Sequence, residues 1–264
     1  MMNAKIFSLL TAACILLITA CSKKTPSLHR VYDHGGIIRT DTTRKIITLV
    51  FTGGDYADGG TLILETLNSY NIRGAFFFTG DFYRNSDFSP LIRNLKKEGH
   101  YLGAHSDRHL LYSDWRKRDS TLVTRAEFRE DVENNYAEMA RFGITKQDAP
   151  WFLPAFEWYN DTIAAWTREL GLSLVNFSPG TYSNADYTTP DMGKRYLDSE
   201  TIFQRILDYE VKNGLNGFLL LTHIGTDPRR TDKFYHRLDA LITELQDRGY
   251  QFASLPEAMG GIHH

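Results

Sequence analysis

Three histidines and two aspartates stand where apolar runs of this 264-residue chain give way to polar residues. Asp55 follows the run "ITLVFTGG", with Asp58 three residues on. His105 and His109 bracket "HSDRH", and His223 closes "GFLLLTH". One acidic side chain and two imidazoles, with positions left open for water, form the ligand set of a hydrolytic zinc or related centre. If the chain after His105 turns into a helix, both imidazoles project from one face about 5–6 Å apart. One ion, reached at about 2.0–2.1 Å from each nitrogen, then fits between them. A histidine arriving from another strand, His223, has the place of a general acid. Each feature also has an ordinary explanation. A His-x3-His spacing arises often on surfaces, a lone histidine bonds loop carbonyls, and aspartate among glycines is common turn chemistry. Their shared placement at strand ends is what favours chemistry.

The elements that hold these residues alternate along the chain. Apolar, β-branched or aromatic runs occur at 46–51, 74–79, 101–105, 151–155, 173–178, 217–223 and 251–255. Amphipathic stripes lie between them, Phe128, Val132, Tyr136 and Met139 in one and Phe234, Leu238, Leu241 and Leu245 in another. Glycines 143, 171, 214 and 249 follow helical segments as left-handed caps do. Seven strands alternating with helices predict an α/β fold, a parallel sheet covered on both faces. Strands as short and uniformly apolar as "GFLLL" favour a barrel over an open sheet. Either architecture gathers ligands at the carboxyl ends of the strands.

Composition narrows the class. With 30 basic against 32 acidic side chains, nothing points to nucleic acid, and the run Arg116 to Arg118 reads as solvated surface. Residues 1–20 carry one charge, Lys5, and an apolar core too short to span a membrane comfortably, which predicts a signal peptide. Its end, "LITAC", marks Cys21 as a lipidation site, an ordinary secretory signal being the alternative. Acylation there, worth about 0.8 kcal/mol per buried methylene, anchors the chain to a membrane. Polar residues 21–44 then read as a lipidated tether, and 45–264 as one domain. The two cysteines, Cys14 and Cys21, leave that domain without a disulfide.

The order of these residues resembles the polysaccharide deacetylases, the NodB homology domain of carbohydrate esterase family four, over about 45–258. His105, Ser106 and His109 match the family's His-Ser/Thr-x-x-His motif, Leu219 to His223 its leucine-rich strand ending in histidine, and "GAFFFTG" its second strand. The resemblance implies a distorted (β/α)7 barrel and a divalent metal, zinc first with cobalt, nickel or manganese as alternatives. It further implies hydrolytic removal of acetyl groups from a polysaccharide, an N-acetylglucosamine-containing glycan such as peptidoglycan or an acetylated xylan. Departures cluster on one side. Where the family's Thr-Phe-Asp-Asp-Gly places a base and a metal ligand, alignment on Phe51 puts Thr52 and Gly53. "FLPAFEW" replaces an Arg-Pro-Pro motif, and "NFSPGTYSNADY" an aspartate-tryptophan segment.

On that resemblance Asp55 takes the ligand's place beside His105 and His109. Asp58, Glu157 or unassisted water serves as base, and His223 as acid. Asp227 either orients His223 through its second nitrogen or caps the helix near Lys233. Tyr56, Pro154, Phe156 and Trp158, with Trp115, Tyr159 and Tyr187, offer surfaces for sugar rings. The rival expectation is a lipid-anchored glycan-binding protein with the chemistry lost. Either way the chain is expected to be exported and held on the periplasmic or surface side of a bacterial membrane.

Overall fold

The computed structural model describes residues 28–261. The signal peptide, Cys21 and the terminal His263 and His264 lie outside the described residues. Among the described residues nine strands make up one sheet: β1 (Val31–Asp33), β2 (Gly36–Arg39), β3 (Ile46–Gly53), β4 (Ala75–Phe78), β5 (Tyr101–Ala104), β6 (Trp151–Phe152), β7 (Ser173–Leu174), β8 (Phe218–His223) and β9 (Gln251–Phe252). The last seven occupy the seven apolar runs. They pair in parallel in the order β8-β3-β4-β5-β6-β7, with β9 added against the start of β3.

Part of the expected tether belongs to the fold. Residues 31–39 form an antiparallel hairpin that turns at His34 and Gly35, both at positive φ. Arg39 pairs antiparallel with Phe218 of β8, and Ile37 is buried. Ile37 also bridges Val175 just past β7, where its carbonyl accepts from the Asn176 N–H at 2.8 Å. The hairpin thus joins the two edges of the curled sheet and closes it into an irregular barrel. Its strands are three and four residues long, too short to show a period amid polar neighbours.

Burial explains why the other strands form. All eight residues of β3 are buried, as a strand covered on both faces requires. Phe51 stacks on Phe76 of β4 at 4.8 Å between ring centroids, and Phe78 stacks on Phe82 at 4.0 Å. Each such ring contributes about 1.5–3 kcal/mol by leaving water. Helices cover the outside. Arg125–Ala140 begins at a capping box, Thr124 with Glu127, and buries Phe128, Val132, Tyr136 and Met139 as the stripe predicts. In the second stripe Leu238, Leu241 and Leu245 are buried in the helix Leu238–Asp247, while Phe234 precedes it in a 3₁₀ turn. Among the described residues no helix is long and apolar enough to cross a membrane.

Candidate active site

The parallel register sets the site. Thr52 lies opposite His223 on neighbouring strands, and Ala104, the residue before His105, pairs with both Phe78 and Phe152. The carboxyl ends of β3, β5, β6 and β8 therefore open into one cleft of about 1320 Å³. Thr52, Asp55, Tyr56, His105, His109, Phe156, Glu157, Trp158, His223 and Asp227 all line it.

His105 is held from three sides. Its N–H donates to the Phe78 carbonyl at 3.1 Å and to Asn135 Oδ1 at 2.9 Å, and its Nδ1 donates to the Leu153 carbonyl at 2.9 Å. A carbonyl only accepts, so the proton sits on Nδ1 and the Nε2 lone pair faces the cleft. The His105–His109 ring separation, 5.2 Å, falls in the range anticipated for a helix, yet no helix makes it. Ser106 and His109 instead adopt left-handed conformations, φ 73° and 54°. The loop is held by buried Asp131, which accepts from the N–H groups of Asp107 and Arg108 at 3.1 and 3.2 Å and from the Tyr112 hydroxyl at 2.5 Å. Asp131 and Asn135 are polar residues inside an apolar helical stripe, a signal the sequence carried unread. Burial pushes both imidazoles down, His105 well below its usual range with His109 adding to the effect, and His109 to about 4 with His223 adding to it. Both are neutral near pH 7, as metal ligands must be.

Glu157 enters the same space by an unusual backbone. Phe156 and Glu157 are consecutive left-handed residues, φ 60° and 52°, a costly pairing that structures retain mainly at functional sites. The turn leaves Phe156 exposed over His109, ring centroids 4.2 Å apart, and drives Glu157 inward. Its Oε1 stops 3.6 Å from His105 Nε2. Burial raises the carboxyl to about 7, with the positive His223 opposing the shift and Asp186 reinforcing it.

Across the cleft, Asp186 accepts from His223 Nδ1 at 2.6 Å and from the His223 N–H at 2.8 Å. Burial lowers the imidazole's pKa, but the charge and hydrogen bond of Asp186 outweigh it and the net shift is upward. This corrects the expectation for Asp227, which instead binds Arg229 and, by a hydrogen bond, Tyr56; the turn at 234 starts from Lys233 without a side-chain cap. Asp186 was missed because it sits 37 residues from His223 in a 3₁₀ turn, Ser183–Tyr187, with no apolar period.

Two other candidates are not brought in. Asp58 accepts from the Thr226 N–H, the Tyr235 hydroxyl and Lys233 Nζ, each at 2.9 Å, and lines a second groove. Its carboxylate ties the β3 loop to the β8 loop and is not among the residues that line the cleft. Pro154 is buried beneath the cleft wall as the residue before the Ala155–Glu157 turn. Tyr159 is likewise buried, its hydroxyl donating to the Asp33 carbonyl at 2.9 Å. Asp55 is exposed on the rim, close enough to act electrostatically on His109. An aromatic wall completes the cleft, with exposed Trp115 stacked on Trp158 at 5.4 Å, Arg118 over Trp158 at 4.4 Å and Tyr187 5.6 Å from His223.

The positions that alignment on Phe51 assigns to the first motif have their own geometry. Thr52 faces the cleft, and its buried hydroxyl has no hydrogen-bond partner among the described residues. A Cβ on Gly53 would lie 2.7 Å from Ile224, 2.9 Å from Phe78 and 3.0 Å from Phe82, so this position admits no side chain. At Gly54 the nearest atom, on Thr79, is 3.7 Å away.

The polysaccharide deacetylase family model matches residues 39–175. PdaA of Bacillus subtilis (strain 168), a peptidoglycan-N-acetylmuramic acid deacetylase, is 28% identical over 241 residues, 90% of this chain and 79% of its own. Among solved structures, a carbohydrate esterase family 4 pseudoenzyme from Bacillus anthracis superposes with a TM-score of 0.66 at 17% identity, covering 86% of this chain and 70% of that one. A mutant of the same protein with restored enzymatic activity matches equally, with a TM-score of 0.66 at 16% identity over 86% of this chain and 72% of that one. An acetyl xylan esterase from Clostridium thermocellum, solved with a cobalt ion, gives 0.62 at 20% identity over 81% and 90%. These likenesses carry the fold, a distorted barrel of the NodB kind.

Enzymes of this family are metal-dependent. Two neutral imidazoles with ring centroids 5.2 Å apart fit such an ion. Among the described residues, however, no group of three His, Cys, Asp or Glu side chains is arranged to hold one together. His105 and His109 are the half of the site that is in place.

Proposed function

This chain belongs to the polysaccharide deacetylase family, and from that premise we propose that it removes acetyl groups from an N-acetylated glycan of the peptidoglycan type, with Glu157 doing the work of the carboxylate its first motif lacks. The observation that carries this reading is the set of groups facing one another across the cleft. Glu157 Oε1 stands 3.6 Å from His105 Nε2, and the His223–Asp186 pair lies opposite.

His105 and His109 would hold the divalent ion, with Asp55 as the expected third ligand. Zinc is the first expectation, as the two imidazoles suit it. When bound, the ion polarises the acetyl carbonyl and makes water a better acid. The remaining steps fall to the chain. Glu157 accepts the proton of the attacking water. Asp186, accepting from His223 Nδ1, raises the pKa of the ring and favours the imidazolium, whose second proton, on Nε2, is the one delivered to the leaving amine. Each transfer is worth roughly 10²–10⁴-fold in rate. The stacked Trp115–Trp158 wall, Phe156 and Tyr56 present rings to the sugar chain. An N-acetylmuramic or N-acetylglucosamine residue of peptidoglycan is the favoured substrate because PdaA, similar over 90% of this chain, acts on such a polymer. Export on a lipidated Cys21, with 1–20 as the signal, would place the cleft beside that polymer.

A second reading rests on Thr52 and Gly53. With both motif carboxylates gone, the chain is a glycan-binding protein on the same scaffold, as a family pseudoenzyme from Bacillus anthracis illustrates for that protein. The test is acetate release from peptidoglycan fragments, chitooligosaccharide and acetylated xylan, with and without added zinc or cobalt. Release from peptidoglycan that Glu157→Gln abolishes supports the first reading. Saturable binding with no release from any polymer sinks it. Metal content of Asp55→Ala against His105→Ala decides the ligand assignment, and full occupancy in Asp55→Ala refutes it.

A further inference from the structure

We infer that Arg230 is a positioning residue for His223: its buried guanidinium clips the two ends of the Thr189–Tyr196 segment together and thereby fixes Asp186 against the imidazole. The kinetic part of this inference rests on the deacetylase reading; the structural part does not.

Arg230 lies seven residues after His223 in the charged segment "GTDPRRTDKFY" and is 0% exposed. Its Nη1 donates to two carbonyls, Thr188 at 2.8 Å and Leu197 at 2.9 Å, and its Nη2 to Ser199 Oγ at 3.3 Å. The guanidinium also lies 5.2 Å from the ring centre of Tyr196. The closest carboxylate oxygen, on Asp232, is 3.8 Å away and already accepts from the Ser199 N–H at 2.5 Å. Nε has no partner among the described residues. A buried cation held chiefly by neutral carbonyls is costly, and a fully buried apolar side chain would avoid that cost. What the arginine alone provides is a planar fork whose Nη1 grips Thr188 and Leu197 while its Nη2 reaches Ser199.

Those two residues are the neck of the loop that supplies Thr189, Met192 and Arg195 to the cleft. Thr188 passes the restraint on. Its hydroxyl and N–H donate to the Ala185 carbonyl at 2.6 and 3.0 Å, and its Oγ1 accepts from the Leu197 N–H at 3.3 Å. Asp186 lies between Ala185 and Thr188 and bonds His223 through both its oxygens. Its aim is therefore set by the backbone that carries it. The end of β8 and the segment after it thus grip one loop twice, with His223 at Asp186 and Arg230 at Thr188.

A role in positioning and a role through charge alone predict opposite signs. The groups acting on His223 are Asp186 and Glu157, which raise its pKa, and Arg230, which lowers it, with His105 and His109 nearby. Losing the charge of Arg230 raises the His223 pKa; losing the clip lets Asp186 drift and lowers it. The experiment is an NMR titration of His223 in the whole protein for wild type, Arg230→Lys and Arg230→Met, beside steady-state kinetics on acetylated peptidoglycan fragments. The expected result is a fall of about one pH unit in Arg230→Lys, which keeps the charge but not the fork. Its kcat should drop roughly tenfold with KM within about twofold, and Arg230→Met should lose more. A His223 titration that is unchanged or raised in folded Arg230→Lys overturns the inference. Failure of both variants to fold also overturns it, by assigning Arg230 to the core. A wild type that releases no acetate refutes the deacetylase reading, and the titration still decides the role of Arg230.

Discussion

The two ends of this barrel are built from the same strands and obey different rules. At the carboxyl ends Ser106, His109, Phe156 and Glu157 take left-handed backbones, and buried ionisable groups sit within a few ångströms of one another. Away from the cleft the same sheet gives Phe51 of β3, Phe76 of β4 and, just before β5, His100, packed face to face and edge to face. Histidine makes the contrast sharpest. His223 meets a buried carboxylate and its pKa rises; His100 has no such partner, accepts from the Gly74 N–H at 3.1 Å, and is pushed by burial to about 4, with Arg73 adding to the shift. One end stores unfavourable arrangements that bear on chemistry, and the other minimises them. Changes at the first should register in rate and changes at the second in stability.

The largest expected effect tests the carboxyl end. His223→Gln should lower kcat roughly 10²–10⁴-fold, equivalent to about 3–5 kcal/mol of barrier, with an unfolding free energy within about 1 kcal/mol of wild type. Rate assays beside denaturant titration check both, and a large stability loss would blur the division between the ends. Phe76→Ala is the mirror case. It should cost about 3–5 kcal/mol of stability through the cavity it leaves, while the protein that remains folded keeps its kcat.

His100 supplies the pH test. Its folded pKa of about 4 lies below the unfolded 6.5, so the unfolded chain takes up a proton first. The stability it supports is complete above pH 6.5 and lost as pH falls toward 4, by about 3 kcal/mol in all. Chemical denaturation of wild type and His100→Gln across that range should show a slope in the first that is reduced in the second. Equal slopes would remove His100 from the account. The smallest effect separates adjacent residues at the cleft itself. Gly53→Asp must displace Ile224, Phe78 and Phe82 and should cost about 1–3 kcal/mol, whereas Gly54→Asp should change stability by less than about 1 kcal/mol. Thermal melts of the pair check this, and a tolerated Gly53→Asp would mean the strand end yields more than its packing suggests.

That last pair shows why restoring the family's motif residue by residue is not equivalent to restoring its site. Aligned on Phe51, the positions of the family's two aspartates fall on Thr52, whose hydroxyl faces the cleft, and Gly53, where three neighbours fill the space of a side chain. Glu157 reaches the same cleft from another strand. It was one of three bases open on sequence grounds, because a single chain shows which carboxylates are near in order and not which are near in space. Asp58 follows Asp55 by only three residues, yet the Thr226 N–H, Tyr235 and Lys233 hold it in a second groove.

The sequence by itself determined the seven parallel strands, the helical stripes between them, and the arrival of His105, His109 and His223 at one end of the sheet. Those features are local: apolar periodicity and strand polarity are written in neighbouring residues. The tertiary structure alone decided the hairpin of residues 31–39 that closes the barrel, the left-handed turn that brings Glu157 to 3.6 Å from His105, and the choice of Asp186 over Asp227 as partner of His223. Each of these depends on where segments far apart in the chain come to rest. A hydrogen bond across 37 residues leaves no period behind it, and the burial that shifts a pKa exists only once the surrounding residues have packed.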